Sequence, residues 1–361
     1  MNKMDRSLSL RYRLENIGRT AFMAAIAGIC LGFLSSLLDN IHPLGPILRG
    51  LLIGLIIGIN IGFFEEIVYH NTFRRKPYLF LLLFRTVLYS LMFLFWLVVI
   101  NSVALFIFDD ISFKQAVIYY IFGTPFDRDV ILVTVTAFSI ISLLQIKRLH
   151  SKGDLTKFML GVYHSPKEIE RIFLFIDLKS STSIAEKLGN IKYSEFLIDY
   201  YYDITDALLM AEAEIYQYVG DEIILSWQFK KGIQDAKCIN CFFDIRNTIE
   251  LLKDKYLKRY GVFPEFKAGL HGGKVVVTWI GDIKKEIVYH GDVLNTTSRL
   301  EAECNRYNQT LLVSEFILDN LELPAYLEAN FIDELQLRGK EKKIKIFGLD
   351  IIKSPDKTRA Q

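Results

Sequence analysis

Four apolar runs without a single charge crowd into the first 146 residues of this 361-residue chain. Thr20–Leu38 has 19 residues, Gly50–Phe64 has 15, Thr86–Phe108 has 23 and Val130–Ile146 has 17. A helix that crosses a bilayer takes about 20 mostly apolar residues. The first and third runs therefore span outright, and the second and fourth span with their flanks at headgroup level. The first is too long for a signal-peptide core, lacks a convincing cleavage site and is followed by further spans. The mean hydropathy of +0.25 is thus concentrated in one half. Residues 1–147 read as an α-helical membrane domain of four transmembrane helices, and the lipid bilayer is its first partner.

Lys and Arg set the orientation. Lys3, Arg6, Arg11, Arg13 and Arg19 precede the first run, Arg74, Arg75 and Lys76 follow the second, and Lys147, Arg148 and Lys152 follow the fourth. The other connections are poor in basic residues, so both termini are expected on the cytoplasmic side of the cell membrane. The short apolar stretch Gln115–Phe126 in the external connection suits the interface. Gly50, Gly54, Gly58 and Gly62 recur every fourth residue, a stripe that lets another helix approach closely, within or between chains, and Gly28 and Gly32 offer a matching surface. Glu65 and Glu66 read as a solvated helix end near His70 and Arg74. A ligand- or ion-sensing role is the sharper alternative. Four helices without paired buried charges show no transport path.

Residues 148–170 form a short coupling linker with Gly161 and Pro166 as breakers. Net charge is only +2, so no nucleic-acid partner is implied. The four cysteines are too scattered for a disulfide framework. Cys238 and Cys241 lack the further ligands that a metal site needs and read as helix packing.

From Arg171 the pattern changes. "RIFLFID" reads as a buried strand ending in Asp177, and the polar turn "LKSST" leads into a helix from about Ile184. A carboxylate at a strand end, beside backbone N–H groups at a helix start, suits a metal-bridged phosphate. "AEIYQYV" and "EIILSW" read as a hairpin around Gly220-Asp221, with Val219 and Ile223 packed inward. Asp177 and Asp221 then close adjacent strands and together suit two divalent ions. In "YHGDVLNTTSRLEAE", Asn295 and Arg299 share a helix face, an amide and a guanidinium suited to a sugar oxygen and a phosphate.

In that order and at those spacings, F-x-D (Phe175, Asp177), G-D-E (Gly220 to Glu222) and G-D-x-x-N-x-x-x-R-L (Gly291 to Leu300) resemble the class III nucleotide cyclase catalytic domain of a membrane-anchored bacterial type. "LRGK", Leu337 to Lys340, resembles its late basic motif. The resemblance covers about 180 residues and implies an α/β ferredoxin-like palm over 171–350, with 351–361 as a tail. Strands are expected near 171–177, 214–219, 222–228, 266–273 and 274–280, and helices near 184–212, 233–260 and 292–307.

The resemblance also implies that Asp177 and Asp221, with the Leu178 backbone, hold two Mg²⁺ or Mn²⁺ ions. Asn295 orients the ribose, Arg299 meets charge on the α-phosphate, and Arg338 contacts the terminal phosphate. The turn of Leu178, Lys179, Ser180, Ser181 and Thr182 supplies backbone donors. The reaction implied is attack of the ribose 3′-oxygen on the α-phosphorus, expelling pyrophosphate, in a homodimer whose sites each draw on both chains.

The base-reading positions hold Gln217 and Val288 in place of the lysine and aspartate or threonine usual with ATP, or the glutamate and cysteine of guanylyl cyclases. ATP is the preferred substrate, with GTP or a pyrimidine nucleotide as alternatives. "VGDE" also resembles the diguanylate cyclase loop, but its first glycine is missing here and the Asn295/Arg299 pair points away from that reaction. The remaining alternative is a membrane receptor whose cytosolic domain only binds nucleotide.

Overall fold

The computed structural model describes residues 3–38, 42–65, 78–108, 111–123, 126, 130–131, 134–135, 138, 141–142, 162–282, 285–336 and 343–352. The chain divides into two compact units, residues 2–149 and residues 150–361.

In the first unit, α1 (Lys3–Leu38), α2 (Leu44–Phe63) and α3 (Tyr78–Phe108) are followed by the short α4 (Phe113–Ile121). Among the described residues, three stretches are long and apolar enough to cross a membrane: Leu14–Phe33, Leu44–Phe63 and Leu79–Ile107. Most of the expected fourth span, Val130–Ile146, lies outside the described residues. So do Arg74, Arg75, Lys76, Glu66, His70 and residues 143–161.

The glycine stripe of α2 packs within the chain, against α1. A Cβ on Gly54 would meet the Ala24 carbonyl oxygen at 2.3 Å, and one on Gly50 would meet that of Gly28 at 2.0 Å. Small residues here let two backbones touch. Glu65 is not the solvated helix end expected of it. Its side chain is 17% exposed and lies 3.3 Å from Arg85 of α3, and it accepts a hydrogen bond from the Tyr89 hydroxyl. A charge carried at helix α3 requires a counter-ion, and Glu65 supplies one. Helix α4 starts in a capping box between Ser112 and Gln115. It buries Ala116 and Tyr120 while leaving Ile118, Tyr119 and Phe122 exposed.

The second unit is one eight-stranded mixed sheet in the order β2-β3-β1-β4-β6-β8-β7, with β5 paired to β4. Its strands are β1 (Lys167–Leu178), β2 (Glu214–Val219), β3 (Glu222–Gln228), β4 (Phe266–Ile280), β5 (Glu286–His290), β6 (Leu311–Ser314), β7 (Leu327–Gln336) and β8 (Lys343–Ile351). The first four give the antiparallel β2-β3-β1-β4 order of a ferredoxin-like palm, as expected; the parallel β4–β6 pair extends it.

The two faces differ. Even-numbered residues of β1 (Ile172, Leu174, Ile176, Leu178) enter the main core with α6 (Asn190–Asp203), α7 (Thr205–Met210), α9 (Lys237–Leu251) and α10 (Lys253–Tyr260). The intervening helices are α5 (Ser181–Leu188) and α8 (Phe229–Ile233). Burial of Phe196, Tyr200, Phe242 and Phe243 against the sheet supplies the main apolar driving force. Odd-numbered Phe173 and Phe175 enter a smaller cluster with Ile224, Val275, Val277, Tyr289 and Val293. Val293 belongs to α11 (Asp292–Glu303), which precedes α12 (Glu315–Leu318). Asp177 continues the odd-numbered series and so lies on this less covered face.

Several expected elements differ. The segment 184–212 is three helices, interrupted where Gly189 takes φ +74° and again after Asp203, and it begins earlier, at Ser181. The segment 233–260 begins at the last residue of α8 and divides into a 3₁₀ turn, α9 and α10. The strands expected at 266–273 and 274–280 are one, because Gly272 and Gly273 continue the ladder opposite Ile172 and Arg171. Helix α11 stops at Glu303 rather than 307. Val219 is 49% exposed while Ile223 is fully buried. Tyr216 is inserted as a bulge between Ile215 and Gln217, which reverses the facing of the residues after it.

Candidate active site

The site grows from two strand ends. At the β2–β3 tip, Val219 pairs with Glu222 across the two-residue turn Gly220-Asp221. Gly220 takes φ +65°, the conformation such a turn needs and other residues resist. The Tyr201 hydroxyl of α6 donates to the Gly220 carbonyl at 3.1 Å, and its ring packs on Tyr218 at 4.7 Å. The main-chain turn that carries Asp221 is thereby tied to a helix in the core. At the end of β1, Asp177 pairs in register with Lys267 of β4.

These ends form a compact carboxylate cluster. Burial first, then the charges of Asp221 and Glu301 and a hydrogen bond with Asp221, push the Asp177 carboxyl up to about 6. Burial, then Glu301, Asp177 and Asp221, push Glu222 up to about 7. The Oδ2 atom of Asp221 is buried and has no hydrogen-bond partner, an expensive state for a carboxylate oxygen. A carboxylate whose proton affinity is raised by its acidic neighbours, beside another with an orphaned buried oxygen, fits a cation. Among the described residues no group of three or more His, Cys, Asp or Glu is disposed to hold a metal. The protein would therefore offer the two aspartates and a main-chain carbonyl, leaving coordination positions for phosphate oxygens, the arrangement magnesium usually takes.

Lys267 is the cation among these acids. Its ammonium lies 2.7 Å from Glu301 Oε1 and 3.6 Å from Asp177 Oδ2. Glu301 reaches it because α11 lies directly on β4 at Gly269, where a Cβ would meet Thr297 O and Glu301 N, each at 2.4 Å.

The polar turn is partly committed to the fold. The Leu178 side chain is buried, and the Lys179 N–H, one of the expected phosphate donors, is committed to Glu265 O at 2.8 Å. Ser180 sits in the left-handed region at φ 57° and α5 begins at Ser181. The N–H groups of Ser181, Thr182 and Ser183 fall in the first helical turn, where no intrahelical acceptor exists.

Asn295 and Arg299 lie one turn apart on α11, as expected. Thr297 and Glu301 of the same helix are buried, whereas Asn295 is exposed. Two residues correspond to roughly 160° around a helix, so the Asn295/Arg299 side faces away from the Asp177 cluster of its own chain. Arg299 Nη1 contacts Gln336 O at 3.5 Å. Gln217 is exposed and pairs with Ile224 on the open face. Val288 pairs with Thr278 in the β4–β5 ladder. Arg338 and the rest of Leu337–Lys340 lie outside the described residues. Sequence reasoning missed Lys267, Glu301 and Tyr201, and it gave Glu222 no role. A lysine inside the buried run "FKAGL" was the one available signal.

A family model described as Adenylate and Guanylate cyclase catalytic domain matches residues 165–350. The chain is 36% identical over 214 residues to adenylate cyclase 2 of Rhizobium meliloti (strain 1021), covering 59% of each chain. It is 27% identical over 180 residues to adenylate cyclase of Anabaena cylindrica, covering 48% of this chain and 35% of that one. The chain thus spans less than two thirds of either relative. A bacterial light-regulated adenylyl cyclase of known structure shares the fold with a TM-score of 0.51 at 17% identity, over 61% of this chain and 64% of that one.

Proposed function

The chain belongs to the adenylate and guanylate cyclase catalytic domain family, and from that premise we propose that it is a membrane-anchored adenylate cyclase acting as a homodimer. It converts ATP to 3′,5′-cyclic AMP and pyrophosphate for intracellular signalling. The observation that carries this reading is the pairing of Asp177 with Asp221, whose buried Oδ2 has no partner. A pair so placed would hold two Mg²⁺ or Mn²⁺ ions, which when bound would supply Lewis-acid activation of the ribose 3′-hydroxyl and charge neutralisation at the triphosphate.

The chain's own residues do the positioning on which such chemistry depends. First-turn N–H groups of α5 donate to phosphate oxygens, and Asn295 orients the ribose. Arg299 meets charge developing on the α-phosphate, and Arg338 binds the terminal phosphate. Gln217 offers its amide to the base, while Val288 can only form an apolar wall. The outward side of α11 supports a site shared between chains, because Asn295 and Arg299 cannot turn toward the aspartates of their own chain while Glu301 is held at Lys267. The three apolar spans support membrane anchoring, with a fourth over Val130–Ile146 and both termini cytoplasmic. ATP is preferred because both curated relatives are adenylate cyclases by name.

An assay offering ATP, GTP, CTP and UTP in parallel with Mn²⁺, with products separated by chromatography, tests the reading. Cyclic AMP that is lost in Asp221→Ala supports it. A dinucleotide from GTP, or no turnover of any nucleotide, would sink it.

A further inference from the structure

We infer that Glu301 is a positioning residue for divalent-cation loading: it holds the Lys267 ammonium away from Asp177 and so keeps that carboxylate free for a cation. The inference rests on the reading of Asp177 as a metal ligand. Lys267 and Asp177 face each other in the β1–β4 ladder, and the lysine side chain is only 11% exposed. Its ammonium therefore has few places to go. Two carboxylates lie within its reach, Glu301 Oε1 at 2.7 Å and Asp177 Oδ2 at 3.6 Å.

A lysine seated fully on Asp177 would occupy the lone pairs that a cation needs and would repel the cation as well. Glu301, 9% exposed, draws it the other way. The placement is built into the packing. Gly269, two residues from Lys267 on the same face of β4, lets α11 approach until Glu301 N would meet a Cβ at 2.4 Å. Asn295 and Arg299 occupy the outer side of the same helix, so Glu301 takes no part in their contacts. Its role is separate from theirs.

The test measures Mn²⁺ binding, without nucleotide, to the detergent-solubilised full chain, following free Mn²⁺ by electron paramagnetic resonance. Residues behind a metal ligand typically change affinity by about tenfold or more when altered. Glu301→Gln is expected to weaken Mn²⁺ binding about tenfold, because Lys267 then turns to Asp177. The double variant Lys267→Met/Glu301→Gln removes the competing ammonium and its acceptor together, an exchange buried pairs tolerate, and is expected to recover wild-type affinity. Circular dichroism reports folding of each variant. If Glu301→Gln does not fold, Glu301→Asp, which draws the acceptor back by one methylene, takes its place with the same expectation.

Wild-type affinity in the single variant overturns the inference while leaving the metal reading intact. So does an equal loss in single and double variants, since Glu301 would then act through the fold alone. No saturable Mn²⁺ binding by the wild-type chain overturns both readings.

Discussion

Removing the charge of Asp177 should stabilise the metal-free protein, opposite to the usual effect of altering a half-buried polar group. Burial, then the charges of Asp221 and Glu301, raise this carboxyl to about 6 from 3.8. A group whose pKa is raised by folding leaves stability intact below its unfolded pKa. It withdraws that stability as pH rises through its folded pKa. Wild-type protein without metal should therefore lose stability between about pH 4 and pH 6 and stay lower above that range. A shift of roughly two pK units corresponds to about 3 kcal/mol at most. The side chain is 26% exposed, and solvent screening reduces the figure to about 1–2 kcal/mol. Asp177→Asn keeps the shape without the charge. It should match wild type near pH 4 and exceed it near pH 7.5 by about 2–6 °C in Tm, given the size of the domain. Near-UV circular dichroism of the EDTA-treated, detergent-solubilised chain reads this directly. The same substitution should abolish turnover and the rise in Tm expected when Mn²⁺ is added to wild type. Stability and activity moving in opposite directions marks a group placed for function. A lower Tm for Asp177→Asn near pH 7.5 without metal would make Asp177 a structural partner of Lys267 and refute the reasoning.

Gln217→Glu keeps length but leaves only acceptors. The ratio of kcat/KM for ATP over GTP should fall about tenfold, the effect of roughly 1.4 kcal/mol, and an unchanged ratio would remove Gln217 from base reading. Tyr201→Phe deletes the hydrogen bond to Gly220 O, worth about 1 kcal/mol. The Mn²⁺ concentration for half-maximal activity should rise severalfold, and a variant with wild-type metal dependence would show that the turn holds Asp221 unaided. Gly54→Leu forces a side chain into the Ala24 carbonyl and should lower the thermal stability of the membrane unit by about 1–3 kcal/mol. Gly18→Ala, where a Cβ meets nothing within 4 Å, is the control, and equal losses in both would discount the α1–α2 contact.

What was legible in the sequence was what local chemistry decides. Asp177 at a strand end, the Gly220-Asp221 turn and the Asn295/Arg299 spacing each depend on neighbours within a few residues, and the structure forms those local features. Facing and partnership across the sheet depend on register, which one bulge can reverse. Tyr216 is such a residue, and it turned Val219 outward although the run "EIYQYV" alternates plausibly either way. Two strands were expected on either side of 273/274, yet Gly272 and Gly273, residues that often punctuate strands, continue β4 through the sheet. Glu65 looked solvated because its partners, Arg85 and Tyr89, are twenty or more residues away on another helix. Lys267 and Glu301 are a sharper case. Neither belongs to a motif, and they meet only because β4 pairs with β1 in one register and α11 rests on Gly269. A side chain that controls a metal ligand from behind is subject to no spacing rule, since its position is set by packing rather than by the substrate. Such residues are therefore found from burial: a lysine 11% exposed with two carboxylates within its reach must be serving at least one of them.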